Sequence, residues 1–326
     1  MRPLLLTLDA FNTLFHPRHP IPFQYASSAA DFNIPISPDA LQPAFRASFK
    51  ALSASHPNYG RDVALRGKYA GPRQWWEDVI RGSFMRALTT SNSTSIPGNR
   101  IKVPDALIED LLDRFASARG YKLYDDVGPF FRELRTRKLR EGGRRMDGKR
   151  KVVVGVVSNS DDRISSVLES LGVSVHDARA GEGGNYNKLP GFEEEREKSG
   201  ATTQSQTGVG NGAGSSPLQG QKDVDFVLTS YQVGAEKPNR LIWDVALRRA
   251  QDFDTDSYPG LDAGGTDQDG GWEPIHIGDD YGKDYRGAID AGWKAFYLSR
   301  DAGAAAKVPE GTRMITSLLD LLPELE

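Results

Sequence analysis

Five residues of types suited to phosphate and cation chemistry follow short apolar runs or stand between them. Asp9 closes LLLTLD, Ser158-Asn159 follow VVVGVV, and Gly278-Asp279-Asp280 follow IHI, with Asp284 just beyond. Lys237 lies between the last two, directly before Pro238, a residue suited to the first turn of a helix. Singly, each has a plain structural explanation. An Asp after a strand makes an Asx-turn or a helix N-cap. Ser158 or Ser160 reads as a cap for the helix opening at Asp161-Asp162, Lys237 as a surface lysine and Gly278-Asp279-Asp280 as a turn. Together they imply more. Carboxylates gathered at one place are costly unless a cation neutralises them, and hard oxygen ligands suit magnesium. A lysine and a hydroxyl beside a helix N-terminus hold an anion, most simply phosphate.

The elements that must position these residues are short buried strands. Leu4–Leu8, Val152–Val157, Val224–Leu228, Ile275–Ile277 and Ala295–Leu298 are near-continuous apolar runs, and helical patterns at Val127–Lys138, Ile164–Leu171 and Leu241–Ala250 alternate with them. That alternation predicts an α/β protein with a Rossmann-like, doubly wound parallel sheet covered on both faces. In such a sheet ligands bind beyond the carboxyl ends of the strands, where these residues fall. Residues 16–118 are helical in pattern and contain no buried strand, so they read as a helical domain inserted into a discontinuous core of residues 1–15 and 119–326. Segments 139–150, 181–221 and 251–271 are basic, Gly/Ser/Gln-rich, and acidic with Gly, respectively, and read as surface inserts with too few apolar residues to build a core.

At 326 residues the chain can bury a large core plus a smaller lobe. A formal charge of −3 gives no basic field to recruit nucleic acid or anionic lipid. The absence of cysteine excludes disulfides, thiolate metal sites and a Cys nucleophile, and suits a cytoplasmic or nuclear protein. No run approaches the roughly 20 apolar residues of a membrane span, and Asp9 interrupts the only candidate signal segment. The partner expected is a small anionic, phosphorylated metabolite.

At Asp9-x-x-x-Thr13, Ser158-Asn159, Lys237-Pro238 and Gly278-Asp279-(x)4-Asp284, the last followed by Gly287-Ala288, the chain resembles the haloacid dehalogenase superfamily in all four of its motifs. The helical insert resembles that superfamily's type-1 cap. HPNYG (His56–Gly60), RQWWEDV (Arg73–Val79) and DFVLTS (Asp225–Ser230) are similar to the group of haloacid dehalogenase-like hydrolase domain-containing protein 3 sequences. The resemblance implies that Asp9 is a nucleophile forming an aspartyl intermediate, with Thr13 hydrogen-bonding near it. It implies that Ser158, Asn159 and the backbone after them hold the transferred group, and that Lys237 neutralises the nucleophile and phosphate. Asp9, Asp279, Asp284 and the backbone carbonyl of Phe11 are the implied magnesium ligands. In the cap, Tyr59 and Arg73 are candidates for substrate contact, although Arg73 reads more readily as half of a structural ion pair. Trp75 and Trp76 cannot both face one way on a helix, so at least one of them packs in a core.

One position departs from the pattern. The superfamily's phosphatases carry a second Asp two residues after the nucleophile, where it protonates the leaving alcohol and then activates water. Here it is Phe11. General acid–base catalysis is worth about 10²–10⁴-fold. Three readings stay open: a weakened magnesium-dependent phosphohydrolase, a binding protein of the same fold with little turnover, and a metal-free 2-haloacid dehalogenase, whose halide leaves without a proton. Asp280 or a cap residue is a candidate substitute acid.

Overall fold

The computed structural model describes residues 2–91, 103–142, 151–176, 222–257, 271–300 and 308–325. Eight strands are present among them: β1 (Leu4–Leu8), β2 (Phe15–Pro17), β3 (Tyr121–Leu123), β4 (Val152–Ser158), β5 (Phe226–Thr229), β6 (Glu273–Gly278), β7 (Lys294–Leu298) and β8 (Met314–Ile315). Six of them form one sheet in the order β5-β4-β1-β6-β7-β8, with every pairing parallel. β1 sits between β4 and β6, so the carboxyl ends of these three strands, and the residues after them, share one rim. This is the crevice where an open α/β sheet binds ligands.

β1 is buried along its whole length, and its period of two divides the core. Leu4, Leu6 and Leu8 join one apolar cluster, and Leu5 joins the other with Phe226, Trp243 and Ala246. Helices cover both faces: α6 (Val127–Gly142) and α7 (Arg163–Ser170) on the first, α9 (Arg240–Ser257) and α10 (Gly287–Asp290) on the second. A short α8 (Ser230–Val233) follows β5 directly, closed by a capping box in which Thr229 and Gln232 satisfy each other's backbone N–H groups.

Between β2 and β3 lie α1 (Ile21–Asp31), α2 (Pro38–Ser55), α3 (Pro57–Leu65), α4 (Pro72–Ser91) and α5 (Asp105–Arg114). Prolines open α1 and α2 at positions whose N–H groups have no partner within the helix, and Ser37 caps α2 by accepting from the Ala40 N–H at 3.2 Å. Their apolar faces, including Tyr25, Leu41, Phe84 and Leu107, join the same cluster as Leu4, Leu6 and Leu8. One core thus runs without a break from the helical layer to the sheet.

Three details differ from the sequence reading. The chain leaves and re-enters the sheet domain through an antiparallel ribbon, β2 against β3, with Phe15 opposite Leu123 and Pro17 opposite Tyr121. Strands this short carry no readable alternation. α9 continues to Ser257, into the segment read as a surface insert, because Phe253 packs on the sheet face and against His176 at 5.3 Å. α6 similarly continues to Gly142, while residues 143–150, 181–221 and 258–270 of the expected inserts lie outside the described residues. Among the described residues no helix is long and apolar enough to cross a membrane.

Candidate active site

The loop after β1 turns back on itself at once. The Ala10 carbonyl accepts from both the Leu14 and Phe15 N–H groups, and Asn12 takes a left-handed φ of 56°, a conformation Asn tolerates better than most residues. This turn leaves Asp9 at the rim, 7% exposed. Lys237 reaches it from the opposite side. Its Nζ donates to Asp9 Oδ1 at 2.6 Å, to Asp284 Oδ1 at 2.6 Å and to the Val157 carbonyl at 2.8 Å, which uses all three ammonium hydrogens.

Asn159 positions that lysine. Its side-chain amide donates to the Lys237 carbonyl at 2.9 Å and accepts from the Lys237 N–H at 2.6 Å. The Asn159 side chain, expected to bind phosphate, is therefore already committed to the Lys237 backbone. Ser158 ends β4 at 1% exposure beside it. Gly287 makes room for the same loop, since a Cβ there would stand 2.8 Å from the Pro238 Cβ.

Asp279 and Asp284 follow β6. One oxygen from each of Asp9, Asp279 and Asp284 can be chosen so that all lie within 4.8 Å of one another. Asp284 fits there because residue 278 is glycine: a Cβ would stand 2.2 Å from Asp284 Oδ2. Both Asp284 oxygens are engaged, Oδ1 by Lys237 and by His276 Nε2 at 3.3 Å, and Oδ2 by the Asp280 N–H at 3.0 Å. Asp284 thus holds Lys237 from behind, whereas Asp9 Oδ2 has no hydrogen bond among the described residues.

The electrostatics are those of a site short of positive charge. Three carboxylates against one ammonium leave −3 + 1 = −2, the charge that one divalent cation neutralises. Burial, followed by the neighbouring carboxylates, pushes Asp9 up to about 7 even though Lys237 pulls the other way. Burial and Asp284 likewise push Asp279 up to about 6, opposed by a hydrogen bond from Asn12. Burial works against the charge of Lys237, but Asp284 and Asp9 outweigh it and raise the ammonium above its usual range. Buried His276 is depressed to about 4 and is neutral.

Other expected residues fall differently. Phe11 packs edge-on against Phe15 at 4.9 Å and Tyr121 at 5.7 Å, closing the rim with an aromatic wall where an acid was sought. Thr13 is buried, but its hydroxyl has no hydrogen-bond partner among the described residues, contrary to the expectation that it bonds near Asp9. Its carbonyl is held by Arg300 Nη2 at 2.6 Å. Asp280 does not supply an acid. It caps the π-helical turn Tyr281–Arg286, accepting from the Gly282 and Lys283 N–H groups, and pairs with Lys283.

In the helical layer, Tyr59 comes to the site and Arg73 does not. The Tyr59 hydroxyl donates to the Asn159 carbonyl at 3.3 Å, whereas Arg73 is exposed and paired with Glu77 and Glu109 on the layer's own surface. Tyr59 owes its position to a left-handed turn at Asn58, Tyr59 and Gly60, which presents the Asn58 amide to Ser230 at 2.8 and 3.0 Å. Arg61 follows, donating to the Tyr231 carbonyl at 2.7 Å. HPNYG and DFVLTS are thus the two sides of one seam.

Trp75 is buried in the layer, while Trp76 crosses to the sheet domain, donating from Nε1 to Asp161 Oδ2 at 2.7 Å, with Arg163 over its ring. Asp161 and Arg163 as partners of Trp76 were not foreseen from the sequence, which carries no local signal for a contact across 85 positions.

The chain is 27% identical over 329 residues to the haloacid dehalogenase-like hydrolase domain-containing protein 3 of Homo sapiens, spanning 99% of this chain and 93% of that one. The Bos taurus protein of the same name is 26% identical with the same coverage. In structure, the chain matches a defluorinating L-2-haloacid dehalogenase at a TM-score of 0.53 and 14% identity, covering 99% and 95% of the two chains. The chain thus resembles haloacid dehalogenase-like hydrolases along nearly its whole length, and shares the fold of a haloacid dehalogenase. No protein-family model matches it. The rhythmically expressed gene 2 protein of Drosophila melanogaster is 22% identical over 89% of this chain and 80% of its own. Three of the four motifs read from the sequence meet in the Asp9–Lys237–Asp279–Asp284 constellation, and the fourth, Ser158-Asn159, joins it through the bonds of Asn159 to the Lys237 backbone.

Proposed function

We propose that the chain is a magnesium-dependent phosphohydrolase in which Asp9 is the nucleophile and Phe11 slows the second half of the reaction. The observation that carries this reading is the shared Lys237 ammonium, 2.6 Å from Asp9 and 2.6 Å from Asp284 inside a cluster of three carboxylates. One Asp9 oxygen is fixed by Lys237, which leaves Oδ2 to attack phosphorus as the P–O bond to the leaving alcohol breaks. Lys237 would neutralise charge on the nucleophile and the phosphoryl group, and Ser158, buried at the end of β4, would donate to the phosphoryl oxygens. Asp9, Asp279 and the Phe11 carbonyl would hold magnesium, with Asp284 behind them. The hard oxygen set, its net charge of −2 and the raised Asp9 and Asp279 support that assignment. Bound magnesium supplies the positive charge that lets a carboxylate and a phosphate approach each other.

Phe11 has no proton to give the departing alkoxide and no base to activate the water that must cleave the acyl phosphate. That favours esters of acidic alcohols. It also gives a second reading some support, in which the protein binds phosphorylated ligands with scant turnover. Phosphate release from a phosphomonoester panel tests both, with and without magnesium, in wild type, Asp9→Asn and Phe11→Asp. Expected is magnesium-dependent release in wild type, its loss in Asp9→Asn, and a gain in Phe11→Asp of about 10²-fold or more. Release undiminished in Asp9→Asn would overturn the role of Asp9, and release only in Phe11→Asp would favour the binding protein. Halide release from 2-chloropropionate without magnesium would favour a dehalogenase instead.

A further inference from the structure

The seam between the helical layer and the sheet domain contains polar groups that the phosphoryl site does not use. Arg163, at the start of α7 and five residues beyond Ser158, grips Asp161 through two parallel bonds, Nε to Oδ1 at 2.8 Å and Nη2 to Oδ2 at 3.0 Å. Asp161 also accepts from the Arg163 N–H at 3.0 Å and from Trp76 Nε1 at 2.7 Å. With four donors directed at it, the carboxylate is fixed and cannot swing across the guanidinium's other edge. The indole of Trp76 lies against the guanidinium, its centroid 4.4 Å from Cζ. A guanidinium has five N–H donors and only two are used here, so both Nη1 hydrogens and one on Nη2 have no partner among the described residues.

Two phenols complete the arrangement. Tyr25 and Tyr121 are 2% and 5% exposed, and neither hydroxyl has a hydrogen-bond partner among the described residues. Phe115 packs between the two rings, its centroid 5.7 Å from that of Tyr25 and 5.8 Å from that of Tyr121, and both hydroxyls are raised by burial and lowered in part by the charge of Arg163. Tyr121 also touches Phe11, two residues beyond Asp9. The Arg163 side chain keeps 20% of its surface exposed, so an anion can reach its free donors.

We propose that Arg163, Tyr121 and Tyr25 form a second anion subsite that takes the carboxylate of a small phosphomonoester whose phosphoryl group lies at Asp9. The proposal rests on the phosphohydrolase reading above and adds the substrate class to it. Arg163 presents a free planar edge, the geometry that matches a carboxylate with two parallel bonds, and Asp161 holds that edge in place. Phe11 is then the apolar wall between the two anionic ends of the substrate.

The test compares two esters that differ at one end, 3-phosphoglycerate with its carboxylate and glycerol 3-phosphate with a hydroxymethyl group. Their dissociation constants are measured by calorimetry with magnesium on wild type, Arg163→Gln and Tyr121→Phe, with inorganic phosphate as the reference for the phosphoryl site. Expected is a preference of wild type for the carboxylated ester of at least about tenfold, in line with one or more charge-assisted bonds. Arg163→Gln should bring that ratio close to one, and Tyr121→Phe, which removes a single hydroxyl, should reduce it. If inorganic phosphate binds and the wild-type ratio is already near one, or if the ratio survives in Arg163→Gln, the subsite is refuted and the phosphoryl site stands. If phosphate and both esters fail to bind, the phosphoryl site itself fails, and the subsite with it.

Discussion

Lys237 and His276 show how much of this site is built from hydrogens already allotted. Lys237 spends its three on Asp9, Asp284 and the Val157 carbonyl. Neutral His276 has one N–H, and the ionised Asp284 3.3 Å from Nε2 needs a donor, so the proton belongs on Nε2. Nδ1 is then an acceptor, and the Thr7 hydroxyl at 2.8 Å donates to it. A chain from Thr7 through His276 and Asp284 to Lys237 fixes the ammonium that faces Asp9. In the cation-free protein Asp9 stands at about 7 and Asp279 at about 6, against roughly 4 for an unfolded carboxylate. Between those values the folded state holds more protons than the unfolded one, so their contribution to stability is whole below about pH 4 and is lost as pH rises through 6 and 7. Asp284 runs the other way: Lys237 and His276 hold it low against the effect of burial, so its contribution is present above about pH 4 and is lost only in stronger acid. Stripped of metal, the protein should therefore melt at lower temperature at about pH 8 than at about pH 5. Magnesium should restore more at the higher pH, where both carboxylates are ionised. A magnesium shift in melting temperature as large at pH 5 would contradict this assignment of the ligands.

At the scale of elements, the seam is made by a turn rather than by a helix face. Asn58 sits at φ 46° and makes two hydrogen bonds with Ser230, whose segment continues into α8. Asn58→Ala would remove both bonds and force a Cβ-bearing residue with no compensating amide into the left-handed region. A loss of about 3–4 kcal/mol by chemical denaturation is expected, from the two bonds at about 1 kcal/mol each and about 1–2 kcal/mol of backbone strain. Asn58→Gly should recover the strain and not the bonds, and equal losses in the two variants would show that the turn conformation carries no cost. The strands that position the site were legible in the sequence because a strand buried on both faces must be apolar almost throughout, as Leu4–Leu8 and Val152–Val157 are. The ribbon of β2 and β3 was not, because three-residue strands show no period. The extension of α9 past Ala250 was hidden by an acidic composition in which Phe253 is the apolar anchor.

For the molecule as a whole, the rim residues were legible because the doubly wound topology maps chain order onto place: whatever follows β1, β4 and β6 must meet. What meets across the seam was not legible. Trp76 with Asp161 and Arg163, and Arg61 with the Tyr231 carbonyl, join residues far apart in sequence whose types alone suit many surfaces. The same topology places Phe11 against Phe15 and Tyr121 at the ribbon through which the chain enters the helical layer, so the missing acid is replaced by packing. That replacement makes the central claim directly measurable. Acetyl phosphate has a leaving group that needs no proton, so Asp9 should be phosphorylated readily, while the water that must discharge it has no base at position 11. The measurement is mass spectrometry of the protein quenched in acid after mixing with acetyl phosphate and magnesium, followed by peptide mapping. The account predicts one added phosphoryl group on the peptide containing Asp9, dependent on magnesium, absent in Asp9→Asn and short-lived in Phe11→Asp. An unmodified Asp9 peptide under conditions where magnesium and phosphate both bind would contradict it.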